Sequence, residues 1–221
     1  MGYSWQFGVI ADYWVVFAMG AVATIKITLG SALLALVLGL PLGLLRGSQR
    51  RWLSLPAMAY IEFIRGTPAL VQIVWIYYCL PLLTGLRLDP FTTIVLALGL
   101  HAAAFVAEIF RAGINAVDRG QFMAAYSIGM GYVQALRRIV LPQAVRKMIP
   151  PFINEFASLI KLTTLGSVIA VYELLHASNG LIASVYRPME IYTFLAVAFF
   201  VLIYPIILAS QWAERYFARR A

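Results

Sequence analysis

Five stretches of the chain are each long and apolar enough to cross a lipid bilayer, and such a chain folds where hydrocarbon replaces water. A spanning helix needs about 20 mostly apolar residues. The stretches fall at about 19–45, 55–83, 91–109, 149–175 and 191–212. They are too long and too evenly apolar for the alternating strands of a membrane barrel. Charge agrees: 12% of the 221 residues are charged and 62% are hydrophobic, against roughly 25% charged in a soluble domain. That charge cannot coat a soluble globule. A soluble enzyme, a disordered chain and an isolated DNA-binding domain are therefore excluded. The expected fold is an all-α integral membrane protein with five transmembrane helices. Residues 1–18, aromatic and amphipathic, are expected to lie along the interface before the first span.

Orientation follows from the connections. Twelve Lys and Arg fall on one side, beginning with Arg46, Arg50 and Arg51, and only Arg87 and Arg187 on the other. Basic residues collect on the cytoplasmic side, so the N-terminus is expected outside and the C-terminus, with its basic tail 216–221, in the cytoplasm. The net charge of +8 is thus a membrane signature, and no nucleic-acid partner is expected. Cys79, the single cysteine, allows neither an internal disulfide nor a thiolate cluster, and no metal site is expected. Met1–Asp12 carries no Lys or Arg, unlike a cleaved signal peptide, so the first helix is expected to serve as its own insertion signal.

One connection is unlike the others. The segment at about 113–142 is polar enough to lie outside the bilayer, yet Ile114, Val117, Met123, Ala124, Ile128 and Val133 recur at roughly helical spacing. Long structured loops are usually functional. This one offers apolar residues to the cytoplasm, which points to a protein partner.

Within it, Gln121-Phe-Met-Ala-Ala-Tyr-Ser-Ile-Gly129 is followed after nine residues by Ile139-Val-Leu-Pro142. This resembles the cytoplasmic signature of ABC importer permeases: Glu-Ala-Ala, three residues, Gly, nine residues, Ile-x-Leu-Pro. Met123 stands where the signature usually has Glu, so docking there is expected to be apolar. A helix of small residues can seat closely in a partner's groove. Gly129 is suited to end it, and Pro142 is expected to stop the next helix and turn the chain to the membrane. Ile61–Gln72, Glu108–Ile114, Gly120-Gln121, Leu141–Ala144 and Pro150-Pro151 resemble the polar amino acid branch of that superfamily. The resemblance covers about residues 20–215.

The resemblance implies a type I importer fold in a bacterial inner membrane and a transport subunit that does no bond chemistry. It implies a second permease subunit, identical or paralogous. Two cytoplasmic ATPase subunits bind the ATP and Mg, and a soluble extracytoplasmic binding protein delivers an amino acid solute. Membrane lipid surrounds the whole. The chain has no Gly-x-x-x-x-Gly-Lys-[Ser/Thr] loop of its own, so no cofactor is expected in it. The coupling residues expected on this basis are Gly120, Gln121, Met123, Ala124, Ala125, Ser127, Gly129 and Met130. The rival readings are an ATP-independent carrier or channel and a membrane adaptor that moves nothing. Five spans without a visible repeat speak against the first, and buried ionisable residues against the second.

Charges inside a bilayer are costly and usually functional. Glu155 and Lys161 lie in the fourth span, six apart and so on different faces. Glu155 is the leading solute contact, as a holder of an ammonium group, or else a brace of the subunit interface. Ser158, Thr163 and Thr164 either hydrogen-bond the solute or pack helices. Gln72 is a secondary candidate. Family members often show Lys-Asp-[Ser/Thr]-Ser-Leu where this chain has Lys161-Leu-Thr-Thr-Leu165. The missing Asp, at Leu162, favours neutral or acidic amino acids over cationic ones. Glu62 and Arg65 share a helix face just before Gly66-Thr67-Pro68, where Pro68 loosens the helix. Glu108 and Arg111 are expected to clasp the entry to the coupling segment. His101 is expected to be a buried, hydrogen-bonded histidine, and Gly39 and Gly43 a helix-packing step.

Overall fold

The computed structural model describes residues 3–218. Among them there is no strand. A short helix α1 (Gly8–Asp12) leads through Tyr13 into α2 (Trp14–Arg46). Helix α3 (Arg51–Arg65) is followed by α4 (Ala69–Val74), a π-helical turn over Trp75–Cys79, and α5 (Leu80–Thr84). Helix α6 (Pro90–Asn115) opens on a side-chain cap, the Thr92 N–H donating to Asp89 Oδ1 at 3.0 Å. Then come α7 (Arg119–Ser127), α8 (Tyr132–Ala135), a π turn (Leu136–Val140) and α9 (Leu141–Leu162). A 3₁₀ segment (Thr163–Ile169), α10 (Leu174–Val185) and α11 (Pro188–Ala218) complete the chain. Arg219, Arg220 and Ala221 of the basic tail lie outside the described residues.

Four helical stretches are long and apolar enough to span: α2, α6, the run 132–169 and α11. Helices α3 and α4–α5 are apolar and long enough only as a pair, bent by 105° at the break between them, which makes them a broken fifth span or a re-entrant pair. Gly66 and Thr67 end α3, and Pro68, in an extended conformation with ψ 137°, starts α4. Pro has no N–H to continue the ladder.

Helix α6 is the centre of the bundle: 67% of its most apolar window is buried, against 17% for α11. The buried face of α2 is a stripe of small residues that includes Gly20, Thr24, Ser31, Ala35, Gly39 and Gly43. It lets α2 lie directly on α6. A Cβ at Gly39 would come within 2.7 Å of the Ala103 carbonyl, and one at Gly43 within 2.7 Å of the Ala107 carbonyl. Without a water-driven hydrophobic effect between helices, this close packing is what holds membrane helices together.

The helix loosened at Pro68, as expected, is two helices meeting at a corner. Two other features depart from expectation. The chain does not break at Pro142: the π turn over Leu136–Val140 shifts the hydrogen-bond register just ahead of it, and the helix runs on to Leu162. The fourth span loses α-helical form at Leu162, well before 175, and α10 (Leu174–Val185) occupies most of the connection to the fifth span. At that break Ala170 adopts φ 58°. The buried Glu173 then caps α10, accepting from the Leu175 and His176 N–H groups at 2.9 and 2.7 Å.

Candidate functional site

The segment between α6 and α9 is a small, well-ended helix presenting an apolar face. Asp118 caps α7 by accepting from the Gly120 N–H at 2.8 Å. At the other end Gly129 takes φ +83°. The Met130 N–H donates to the Ala125 carbonyl at 3.0 Å and the Gly129 N–H to the Tyr126 carbonyl at 2.9 Å. This paired closure satisfies carbonyls that a helix end leaves bare. Ala125 is fully buried, while Met123, Ala124, Tyr126, Ser127, Ile128, Tyr132 and Val133 are exposed.

The segment is fixed from behind. Phe122 packs with Phe110, Val117, Val140, Ala144 and Met148 and stacks on Tyr132 with centroids 6.0 Å apart. Lys147 donates to the carbonyl of Ala116, which ends α6. The Gln143 amide reaches Gln121 Oε1 at 3.4 Å. Met123 points an apolar side chain outward at the position where the signature usually has a carboxylate.

The structure does not gather the six solute candidates into one cluster. Glu155 is half-buried and follows Phe152 and precedes Leu159 on the stripe of α9 that packs against α6 and α2. It makes no hydrogen bond or ion pair among the described residues. Lys161 and Thr164 face the other way, lining a cavity of about 400 Å³ with Phe199, Phe200, Ile203, Tyr204 and Ile207 of α11. The hydroxyl of Thr163, fully buried, donates to the Ile160 carbonyl at 2.8 Å, and that of Thr164 to the Lys161 carbonyl at 2.7 Å. Both still have lone pairs to accept a donor. Ser158 is half-buried on α9. Leu162, at the family's Asp position, packs against the apolar core of Ile27, Ile94 and Leu98.

Gln72 instead closes the corner between α3 and α4. Its amide nitrogen donates to the Ile64 carbonyl at 2.9 Å, the Thr67 carbonyl at 3.2 Å and the Thr67 hydroxyl at 2.7 Å. Its oxygen lies 3.0 Å from His101 Nδ1. His101 is thus a buried, hydrogen-bonded histidine.

The charged clasps are rearranged. Glu62 pairs with Arg46 at 2.8 Å, and Arg46 also reaches Glu108 at 3.3 Å. Glu108 pairs with Arg111 as expected. Arg65 lies over the Phe105 ring, 5.5 Å from its centroid. Arg46 weighs in the sequence only for orientation, although a cation at the end of one span beside two acidic helix ends is a ready partner. Glu190 has no role readable there either, yet its fully buried carboxylate accepts from the Tyr3 hydroxyl and the Gln6 N–H. No local pattern signals that contact, because the partners are more than 180 residues apart.

Residues 39–221 match the family described as binding-protein-dependent transport system inner membrane component. The chain is 38% identical over 215 residues to the octopine transport system permease protein OccM of Rhizobium meliloti, covering 91% of this chain and 88% of that one. It is 38% identical over 189 residues to the glutamine transport system permease protein GlnP of Escherichia coli, covering 83% and 85%. The crystal structure of an amino acid ABC transporter with histidines superposes with a TM-score of 0.90 at 34% identity, covering 98% of this chain and 100% of that one. The chain therefore belongs to the ABC importer permeases of the polar amino acid family, as a multi-pass protein of the bacterial inner membrane and a transport subunit whose ATPase is a separate chain.

Proposed function

We propose that this permease forms half of the translocation pathway of an amino acid importer, with neutral or acidic amino acids favoured over cationic ones. The second half is another permease subunit, identical or paralogous. Two ATPase subunits, which bind ATP and Mg, dock from the cytoplasm. A soluble binding protein delivers the solute from outside. The N-terminus lies outside and the C-terminus in the cytoplasm, which puts the arginine-rich connections inside.

Docking is carried by the α7–α8 segment within about 113–142. Gly120, Gln121, Met123, Ala124, Ala125, Ser127, Gly129 and Met130 build it. The exposed Met123, Tyr126 and Ile128 give an apolar anchor with no ion pair at its centre. Such a surface needs a partner that excludes water from it.

The observation that carries the solute reading is the use of the carboxylates. Of the nine acidic residues, Glu62 and Glu108 are ion-paired, Asp89, Asp118 and Glu173 cap helices, and Glu190 holds the N-terminal segment. Asp12 and Glu214 lie near helix ends. Glu155 alone is a mid-span carboxylate with no protein partner among the described residues. One free carboxylate suffices for a solute ammonium group. A cationic side chain would need a second, and Leu162 stands where the family often supplies it. Lys161 and Thr164 face α11 instead, so they would meet a solute at a different point of its path from Glu155, with Ser158 near Glu155 on the chain. Thr163 braces the end of α9 from within the fold, and Gln72 is taken up by the corner between α3 and α4.

The test is hydrolysis by the reconstituted complex of permease, ATPase and binding protein, stimulated in turn by glutamine, glutamate and arginine. Stimulation by glutamine or glutamate above that by arginine is expected. A preference for arginine overturns the solute assignment. Failure of any ATPase to associate overturns the docking assignment.

A further inference from the structure

Three residues on one face of α6 hold the bent second span. His101, Phe105 and Glu108 are spaced i, i+4, i+7, so they form a single stripe. His101 meets Gln72, which closes the corner from the α4 side. Phe105 lies under Arg65, the last residue of α3. Glu108 is joined through Arg46 to Glu62, one turn before the bend. The Tyr60 hydroxyl adds a bond to the Leu100 carbonyl at 2.7 Å. Both arms of the corner are thus tied to α6 and, through Arg46, to the end of α2.

The direction of the hydrogen bond at His101 is determined. The end of the Gln72 amide that faces the Ile64 and Thr67 carbonyls must be nitrogen, because carbonyls only accept. The oxygen therefore faces His101, and Nδ1 must carry the proton. A residue at 101 without a donor there leaves the Gln72 oxygen unpaired in a half-buried place.

The same helix leads straight to the docking segment. Helix α6 runs unbroken from His101 to Asn115, its end is held by Lys147 at Ala116, and Asp118 caps α7 two residues later. Packed helices shift as rigid bodies, and helix breaks absorb the change in angle.

We infer that His101 is a positioning residue which latches the α3–α4 corner to α6, so that movement of the docking segment changes the angle of the second span. This rests on the proposed docking of the ATPase at α7.

The experiment uses the complex with its ATPase in lipid nanodiscs, in a Cys79→Ser background. Spin labels replace Trp52 on α3 and Leu82 on α5, both exposed. Their separation is measured without nucleotide and after trapping with ATP and vanadate. The latched protein is expected to change separation between the two states. His101→Leu is expected to lose more than half of that change. His101→Asn, whose side-chain nitrogen can donate to the same oxygen, is expected to restore it. A purely structural role would let Asn and Leu behave alike. An unchanged response in His101→Leu overturns the latch, as does an unresponsive wild-type corner in a complex that hydrolyses ATP. Should His101→Leu not assemble, Arg65→Gln is read in its place, with a reduced response expected and an unchanged one overturning the inference. If no ATPase associates with the wild type, the docking reading itself fails.

Discussion

Arg46 stands between Glu62 and Glu108, 2.8 Å from one carboxylate and 3.3 Å from the other, and so joins the ends of α2, α3 and α6. The side chain of Arg46 is 16% exposed, that of Glu108 19% and that of Glu62 60%. The two links are therefore unequal. An exposed pair is worth about 0–1 kcal/mol, whereas removing the shared, largely buried cation uncovers a carboxylate that Arg111 must neutralise alone.

Arg46→Met is accordingly expected to destabilise the purified permease by about 1–3 kcal/mol, and Glu62→Gln by under about 1 kcal/mol. Thermal unfolding in detergent, followed by tryptophan fluorescence, distinguishes the two. Equal effects would show that Glu108 gains nothing from Arg46.

The contact between α2 and α6 leaves no room for a side chain at Gly39, where a Cβ would press on the Ala103 carbonyl and on Val106. Overpacking of this kind costs about 1–3 kcal/mol. Gly39→Ala should lower the unfolding temperature. Gly8→Ala, with nothing within 4 Å of the new carbon, should leave it unchanged.

Gly129→Val forces a β-branched residue to φ +83°, a conformation costing an L-residue about 1–2 kcal/mol. The end of α7 should reshape, and recovery of the ATPase with the tagged permease should fall by more than half while membrane insertion is unaffected. Gly131→Ala, at φ −73° with open space around it, should co-purify normally. Full ATPase recovery with Gly129→Val would refute the docking assignment.

Leu162→Asp adds a second carboxylate two helical turns beyond Glu155 on the same face of α9. Arginine is expected to gain at least several-fold as a stimulator of hydrolysis relative to glutamine, and Glu155→Gln to weaken all solutes together. An unaltered ranking in Leu162→Asp removes residue 162 from the specificity determinants.

The cap on α6 gives a pH dependence with a definite sign. The Thr92 side chain, and then its main-chain N–H, hydrogen-bond to Asp89 and hold its carboxyl below the usual carboxylate range. A depressed pKa stabilises the fold above the unfolded value of about 3.9, and that contribution fades as pH falls through the folded value. The stability difference between wild type and Asp89→Asn should be constant from pH 8 to 6 and shrink below pH 4. A difference that grows on acidification would contradict the cap.

Much of this architecture is legible without coordinates, for identifiable reasons. Spans follow from apolar length, and Gly129 acts within one helical turn of where it sits. The signature around Met123 likewise lies on one short helix. Pairings between spans are another matter. Glu62 and Arg65 do share a face, yet Arg46, brought in by the close packing of α2 on α6, is the better placed cation. Gln72 reads as a polar residue awaiting solute until the corner turns it toward Ile64 and His101. Leu162 and Glu155 are visible as a missing and a present carboxylate, but only packing tells that Lys161 faces α11 instead.

The 105° corner has a consequence for how the protein enters the membrane. Helix α3, with 15 residues, is about 22 Å long, and the run from Ala69 to Thr84 about 24 Å. Neither traverses the roughly 30 Å of hydrocarbon alone. The Gln72 amide that satisfies the bare carbonyls at the bend is itself held by His101, and Arg65 is covered by Phe105, partners that follow some thirty to forty residues later in the chain. The corner is thus closed locally by Gln72 but fully packed only against α6, so the second span is expected to settle in the membrane as a hairpin with α6 rather than as an independent helix.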